Sequence, residues 1–418
     1  MMFDAFKPTF HGRDLVSKLS AFMDFLAGVL GASADPSKFQ IGSRAERVAY
    51  ATPFTGLMWS ETDYPAIWRY TGSAWQYAGG AEALGGRKNL LINGDFAVTT
   101  RGTSFTSATT PANNDDTFTL DRWLLLSDGN NIVNLGTASG NYSGHTGYVV
   151  GTQVAANEQW GLGQVLEYQD ARRIIGQAAS LTFHALRRAA NVTAGTVRAA
   201  VLYWTGTADS VTSDLVAAWA GNGTEPTWAA NWTRAGITDP IALTTAMTRY
   251  TLENISIPIT AKNVAVFIWL DDTNATAADI LDFTGFQLER GAEATSIEHR
   301  PYAQELALCQ RYYWALKEAG FNNPSAMAMG IQGSTTALRF PIIFPVPMRV
   351  APTAALTIGG LTVFAAGGST AITGLSGALA GRAGAQIDLA HAAIGTAGNP
   401  AYLRGTGTTG QITFSAEL

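Results

Sequence analysis

From Asn89 to Arg300 the chain keeps returning to one pattern: a short aliphatic, β-branched or aromatic run, then a cluster of Gly, Asn, Thr, Ser or Asp. The runs are Ile132–Leu135, Tyr148–Gln153, Ala179–His184, Val197–Trp204, Tyr250–Ile257, Asn263–Leu270 and Phe283–Glu289. Each is too short to present an apolar helical face, and turn formers bound each of them. A series of this kind folds as antiparallel strands, and strands that each need one face covered pack as two sheets, a sandwich or jelly roll. No tandem repeat of fixed period is present, which sets aside a propeller or solenoid. Residues 87–301 are therefore expected to form a central antiparallel β-sandwich (jelly roll) in a mainly β protein.

The flanks read differently. Residues 12–31 carry Leu15, Leu19, Phe22, Leu26 and Val29 at four-three-four-three spacing, with Val16, Met23 and Leu30 as a second row. That spacing predicts a helix, either a coiled-coil seam between copies of the chain or an amphipathic helix docked on its own domain. Residues 54–78 alternate aromatic and polar residues around TDYP and TGS turns, which predicts a small β motif, and a Gly-rich linker follows to Gly86. These make up an N-terminal region, 1–86. Residues 302–320 turn helical, with Leu306, Cys309, Tyr313 and Leu316 as a three-four-three stripe. Residues 321–418 are rich in Gly, Ala and Thr and are expected to form a C-terminal β-sandwich tip domain. Gly359-Gly360, between Leu356–Ile358 and Leu361–Phe364, has the composition of a hairpin turn, and the ending QITFSAEL reads as a strand.

Composition excludes several functions. Charged residues are 14% of 418, against roughly 25% in ordinary soluble domains, while apolar residues are 47%. A surface so poor in charge invites association, which points to an obligate oligomer. The net charge is −5 and no Lys/Arg run occurs, so no nucleic-acid footprint is present. Cys309 is the single cysteine, which fits folding in a reducing cytoplasm. Residues 19–34 imitate a signal peptide, but Asp24 interrupts the apolar part. The uncharged stretch from Val350 to Gly381 is too rich in Gly, Thr and Ser to span a bilayer well, so no membrane insertion is expected.

Catalytic and metal chemistry has little to stand on. The five histidines are scattered, with no H-E-x-x-H and no C-x-x-C. His184 reads as a core side chain, and His299 as part of a corner fixed by Glu298 and Arg300. There is no G-x-S-x-G elbow, and Cys309 has no histidine near it in sequence. Gly405-Thr-Gly-Thr-Thr-Gly410 matches a dinucleotide fingerprint by letter only, because a final strand follows it instead of a helix. Asp115, Asp116 and Asp121, and Asp271, Asp272, Asp279 and Asp282, are acidic clusters in turn-rich sequence. Glycoside hydrolysis would need two carboxyl groups roughly 5–10 Å apart across a sugar. The expectation is therefore no catalytic residue and no enzyme activity. The stretch AWAGNGTEPTWAANW suits carbohydrate binding better. Trp219, Trp228 and Trp232 sit there beside Asn222, Glu225 and Asn231, in what reads as an exposed loop at one end. Flat rings pack on sugar C–H faces while polar neighbours meet hydroxyls; the alternative is that the rings only pin the loop down. Trp123, Trp204 and Trp269 lie in strand runs and read as core.

Two phrases carry a family resemblance: NLLINGDFAVTTRGTSF with TFTLDRW (Asn89–Trp123), and FTGFQLERGAEATSIEHRPYAQELALCQRYY (Phe283–Tyr313). Together they resemble a module of bacteriophage tail-fibre and receptor-binding proteins, and RFPIIFPVPMRVAPT (Arg339–Thr353) resembles fibre termini. The resemblance implies a homotrimeric virion protein assembled in the host cytoplasm. Its N-terminal part would attach to other virion proteins, and its far end would bind bacterial surface glycan. It also implies trimer contacts by Leu15, Leu19, Phe22, Leu26, Val29, Leu306, Cys309, Tyr313 and Leu316. No cofactor is required. By likeness to jelly-roll carbohydrate modules, calcium would be held by Asn93, Asp95 and Glu289. Two other roles stay open: a structural decoration such as a head fibre or collar, and a polysaccharide depolymerase.

Overall fold

The computed structural model describes residues 39–61, 66–73, 75–80, 88–106, 115–142, 144–188, 195–272, 275–318, 325–366 and 368–418. The helix expected at 12–31, with Leu15, Leu19, Phe22, Leu26 and Val29, lies outside them. The chain divides into two units, Met1–Lys88 and Asn89–Leu418.

In the first unit, strands β1 (Phe39–Gly42), β2 (Met58–Glu61), β3 (Ala66–Tyr70) and β4 (Trp75–Gly80) form one sheet in chain order. Only β1 and β2 run parallel. A short helix, α1 (Arg44–Val48), opens with a capping box: Ser43 and Glu46 each accept a hydrogen bond from the other's backbone N–H. Trp59 and Trp68 are buried, and the Arg47 guanidinium lies 4.1 Å from the Trp68 ring centroid.

The second unit is mainly antiparallel β. Its first part contains β5 (Ser104–Phe105), β6 (Thr117–Leu120), β7 (Trp123–Ser127), β8 (Val133–Tyr142), β9 (His145–Gln153), β10 (Trp160–Leu166), the short helix α2 (Tyr168–Ala171), β11 (Ala178–Arg187), β12 (Thr196–Trp204), β13 (Val216–Ala218), β14 (Thr227–Trp228), β15 (Trp232–Ile237), β16 (Ile241–Ala242), β17 (Thr248–Ser256), β18 (Val264–Leu270) and β19 (Ile280–Arg290). Among the described residues one sheet has the order β15-β12-β18-β10-β7-β6, with β16 beside β12, and the other the order β17-β11-β19-β9-β8-β5. All seven expected runs are strands. Phe96, Phe105, Trp123, Leu125, Trp160, Phe183, Phe283 and Phe286 fill the space between the sheets. Each contributes about 1.5–3 kcal/mol by leaving water.

The β12–β18–β10–β7 sheet is buried on both faces: every residue of β7, β10 and β18 is buried. Leu124, Leu126, Leu202, Phe267 and Trp269 belong to a second cluster that also takes in Leu215, Val216, Ala229 and Trp232. Uninterrupted apolar strands need a cover on each side. The cover is the 205–232 segment with its β13–β14 hairpin, which corrects the expectation of an exposed end loop.

The linking helix is shorter than expected. α3 spans Tyr302–Gln310, and Tyr313–Lys317 is a strand, β20. The aromatic run Tyr312-Tyr313-Trp314 favours strand over helix, and the C-terminal strand supplies β20 with a partner. The rest comprises β21 (Ser325–Ser334), β22 (Ala337–Ile343), β23 (Thr353–Thr357), β24 (Leu361–Ala365), β25 (Gly368–Ala380), β26 (Gly384–His391), β27 (Pro400–Gly405) and β28 (Gln411–Ser415). The C-terminal sandwich takes the form of a closed barrel, β21-β22-β26-β25-β24-β27, with a β20-β28-β23 sheet beside it. Leu338, Phe340, Val363, Ile387, Leu389 and Leu403 are buried in this part. Closure removes the unpaired edges that six open strands would expose. The final strand expected from the sequence forms, and it lies mid-sheet between β20 and β23. The Gly359-Gly360 hairpin does not form: the chain turns there, but β23 pairs with β28 while β24 pairs with β25 and β27. No helix among the described residues is long and apolar enough to cross a membrane.

Candidate functional site

The two phrases that carry the resemblance lock onto each other. Arg300, whose side chain is 4% exposed, donates to the carbonyls of Asn89 (2.8 Å) and Leu91 (2.7 Å) and pairs with Glu298 (3.2 Å) and Glu305 (2.7 Å). Glu298 accepts the Asn89 N–H at 2.7 Å, and Glu305 accepts that of Asn93. The Asn93 side chain bridges Val98 and Asp121, and the Asn93 backbone carbonyl accepts the Trp123 indole N–H at 3.0 Å. Arg122 donates to the Val165 carbonyl at 2.7 Å, lies 3.7 Å from the Tyr312 ring centroid and pairs with Glu417. Arg311 and Tyr312 both donate to Glu167. These buried charges are compensated locally, as buried charges must be. The phrases therefore act as a clasp that joins the ends of the sandwich to the C-terminal segment.

The 302–317 stripe belongs to the same construction. Cys309 is buried in a cluster with Ile92, Val98 and Tyr312, against which Leu306 packs. Tyr313 is buried in β20, 3.9 Å under the Arg101 guanidinium, and Leu316 packs on the barrel-side core. Cys309 and Tyr313 thus face the interior of their own chain, which corrects their assignment to trimer contacts; the helix ends before the stripe can continue. Burial pushes the Cys309 thiol well above its ordinary pKa, so it is a poor nucleophile.

The Gly405–Gly410 loop does cradle an anion, but the anion is the chain's own Glu318. Its carboxylate accepts the N–H groups of Gly360 (3.3 Å), Gly407 and Gly410 (2.9 Å). Two of the calcium candidates have side-chain oxygens engaged within the chain. Glu289 accepts hydrogen bonds from the Thr295 N–H (2.7 Å) and hydroxyl (2.6 Å), and the Asn93 side chain is committed to the clasp. No group of three His, Cys, Asp or Glu among the described residues is disposed to hold a metal ion. The acidic clusters disperse into local roles. Asp121 accepts the Arg101 N–H (3.1 Å), Asp271 that of Gly223 (3.1 Å) and Asp279 that of Thr276 (2.9 Å), while Asp282 pairs with Arg188 at 3.1 Å.

The tryptophan segment does assemble a surface. Phe267 and Trp269 of β18 stack with centroids 5.2 Å apart at 10°. Trp228 meets them edge-on at 6.2 and 5.9 Å, and Trp219 meets Phe267 at 5.9 Å. Both upper indoles are half-buried. The Trp228 N–H donates to Glu225 at 2.5 Å, and the other oxygen of that carboxylate pairs with Arg234 at 2.7 Å. The segment is anchored from below, because Gly223 donates to Asp271 and accepts from Arg198 (3.3 Å). Trp219, Trp228 and Glu225 therefore share one patch, with Asn222 exposed on the same loop. Trp232 is different: it is 4% exposed and packs on Trp204 at 5.2 Å, so it belongs to the core and not to the sugar-facing set. Arg234 was missing from the sequence reading. Its signal is the alternation of β15, which puts Arg234 two residues from the buried Trp232.

No protein-family model matches the chain, and no curated protein matches it by sequence. Among solved structures it is similar to a CBM4 module (13% identity, TM-score 0.26, covering 48% of this chain and 98% of that one). It is similar to a CBM61 module in complex with β-1,4-galactotriose (11%, 0.29, 49% and 100%). A third is the enzymatically active domain of tailspike protein 4 of bacteriophage CBA120 (12%, 0.28, 49% and 21%). At these TM-scores the likenesses do not locate a site.

Proposed function

We propose that this chain is a bacteriophage fibre or receptor-binding protein that attaches to bacterial surface carbohydrate through the Trp219–Trp228 patch. The observation that carries the reading is the rigid seating of two half-buried indoles on the Phe267–Trp269 stack, with the Glu225–Arg234 pair at their margin. Large rings held in place lose little entropy on binding, and neighbouring polar groups give a sugar its orientation. A shallow patch of this kind binds weakly. Three copies in a homotrimer, and several fibres on a particle, would convert weak contacts into avidity. Attachment needs no bond to break.

The test is binding of the labelled full chain to a panel of bacterial strains, before and after periodate oxidation of surface sugars. The expected result is saturable binding to some strains that oxidation abolishes. Binding that survives oxidation would point to a protein receptor. Binding to no strain would favour a structural decoration, and release of reducing sugar from purified polysaccharide would favour a depolymerase.

A further inference from the structure

The other sheet of the sandwich borders a polar cavity of about 140 Å³, walled by β9, β19 and the 297–305 corner. Its walls include Asp95, His145, Thr146, Gly285, His299 and Tyr302. His145 is 1% exposed, yet neither of its ring nitrogens has a hydrogen-bond partner. An orphaned buried imidazole is costly unless something completes it. Beside it lies His299, with ring centroids 5.1 Å apart. Unlike Glu298 and Arg300, His299 takes no part in the clasp: it is exposed and turned to the cavity. The Asp95 carboxylate accepts one long hydrogen bond, from Ala97 N–H at 3.4 Å, so it retains acceptor capacity. Tyr302, at the rim, is 56% exposed.

The floor is Gly285, at φ 62°. A Cβ there would collide with His184 Nδ1 at 2.6 Å and His145 Nε2 at 2.7 Å, so only glycine lets the two imidazoles pack this closely on the β19 backbone that borders the cavity. The volume equals about five waters, enough for one ring-sized ligand and far more than a metal ion needs. From these features we infer that the cavity is a second binding site, for a single neutral pyranose unit. Asp95 would accept from adjacent hydroxyls, His145 would donate or accept at one of its free nitrogens, and Tyr302 would cover one face of the ring. This inference rests on the reading of the chain as a glycan binder, but on residues the tryptophan patch does not use.

The experiment is saturation-transfer NMR on the full chain carrying Trp219→Ala and Trp228→Ala, which silences the patch. The probes are the methyl glycosides of glucose, galactose, mannose and N-acetylglucosamine. Saturable transfer to at least one is expected, and adding Asp95→Asn or Tyr302→Ala should weaken it at least about tenfold. Tyr302 is exposed, so its removal leaves the fold intact. No saturable transfer to any of the four overturns the inference, as does transfer indifferent to both added substitutions. Occupation by Zn²⁺ alone, with no sugar bound, also overturns it. If the patch binds glycan and the cavity does not, only the second site fails; the reverse result would move the primary site to the cavity.

Discussion

Arg300→Ala tests whether the clasp is structural. The guanidinium is 4% exposed and joins two carboxylates and two carbonyls, and its loss strands Glu305, whose side chain is 9% exposed. Removing one partner of a buried ion pair costs about 3–5 kcal/mol, because the remaining charge is left without compensation. A unit spanning Asn89–Leu418 has an unfolding entropy of roughly 0.7 kcal/mol/K at the usual per-residue value, so a single transition should shift by about 4–7 °C. Differential scanning calorimetry reads this directly. Arg300→Lys should recover less than half of the loss, since one ammonium cannot reach four acceptors in the planar guanidinium arrangement. His299→Ala, on the exposed neighbour, should leave the transition within about 1 °C. If Arg300→Ala itself moved the transition by less than about 1 °C, the clasp would not hold the sandwich ends and the physical account of the two phrases would be wrong.

Three further outcomes are expected. Burial, then His145 and Arg249 nearby, hold His184 at a pKa of about 4 against an ordinary 6.5. Between those values the unfolded chain binds the extra proton, so the contribution is complete above pH 6.5 and is lost as pH falls through about 4, roughly 3 kcal/mol in all. Asp116 and Asp128, both raised to about 7, act in the opposite sense, so the measurement is the difference in urea midpoint between wild type and His184→Gln across pH 7 to 4. Glu318→Ala should expose the loop N–H groups it holds, costing about 1–3 kcal/mol, with amide exchange accelerating at Gly407 and Gly410 before the barrel strands. Light scattering on the full chain should give three times the 44.2 kDa chain mass; a soluble monomer at micromolar concentration would contradict the low-charge reasoning.

The sandwich was legible because its strands are short apolar runs bounded by turn formers. β10 carries no strand signal: WGLGQVL has two glycines, and only tight packing explains them, Gly161 against Ile268 and Phe267 and Gly163 against Leu215 and Leu126. The tryptophan segment was recognised by composition, but no local signal says that Trp232 turns inward while Trp228 stays at the surface. That division follows from the β18 platform beneath, which sequence spacing does not convey. The 302–317 stripe misled because helical spacing persists through Tyr313 and Leu316, while long-range pairing with β28 decides for strand. The cavity was illegible for a related reason. His145, His299 and Asp95 are distant in sequence and meet only because β9 pairs with β19 and the segment around Gly94 hydrogen-bonds to Phe286 of β19.

The most direct test of the central claim is a bacterial surface-glycan array probed with the full chain and with its Trp219→Ala/Trp228→Ala variant. The account predicts selective binding by the wild type and at least about a tenfold loss in the variant, with its calorimetric transition otherwise retained. Equal binding by both proteins would contradict it.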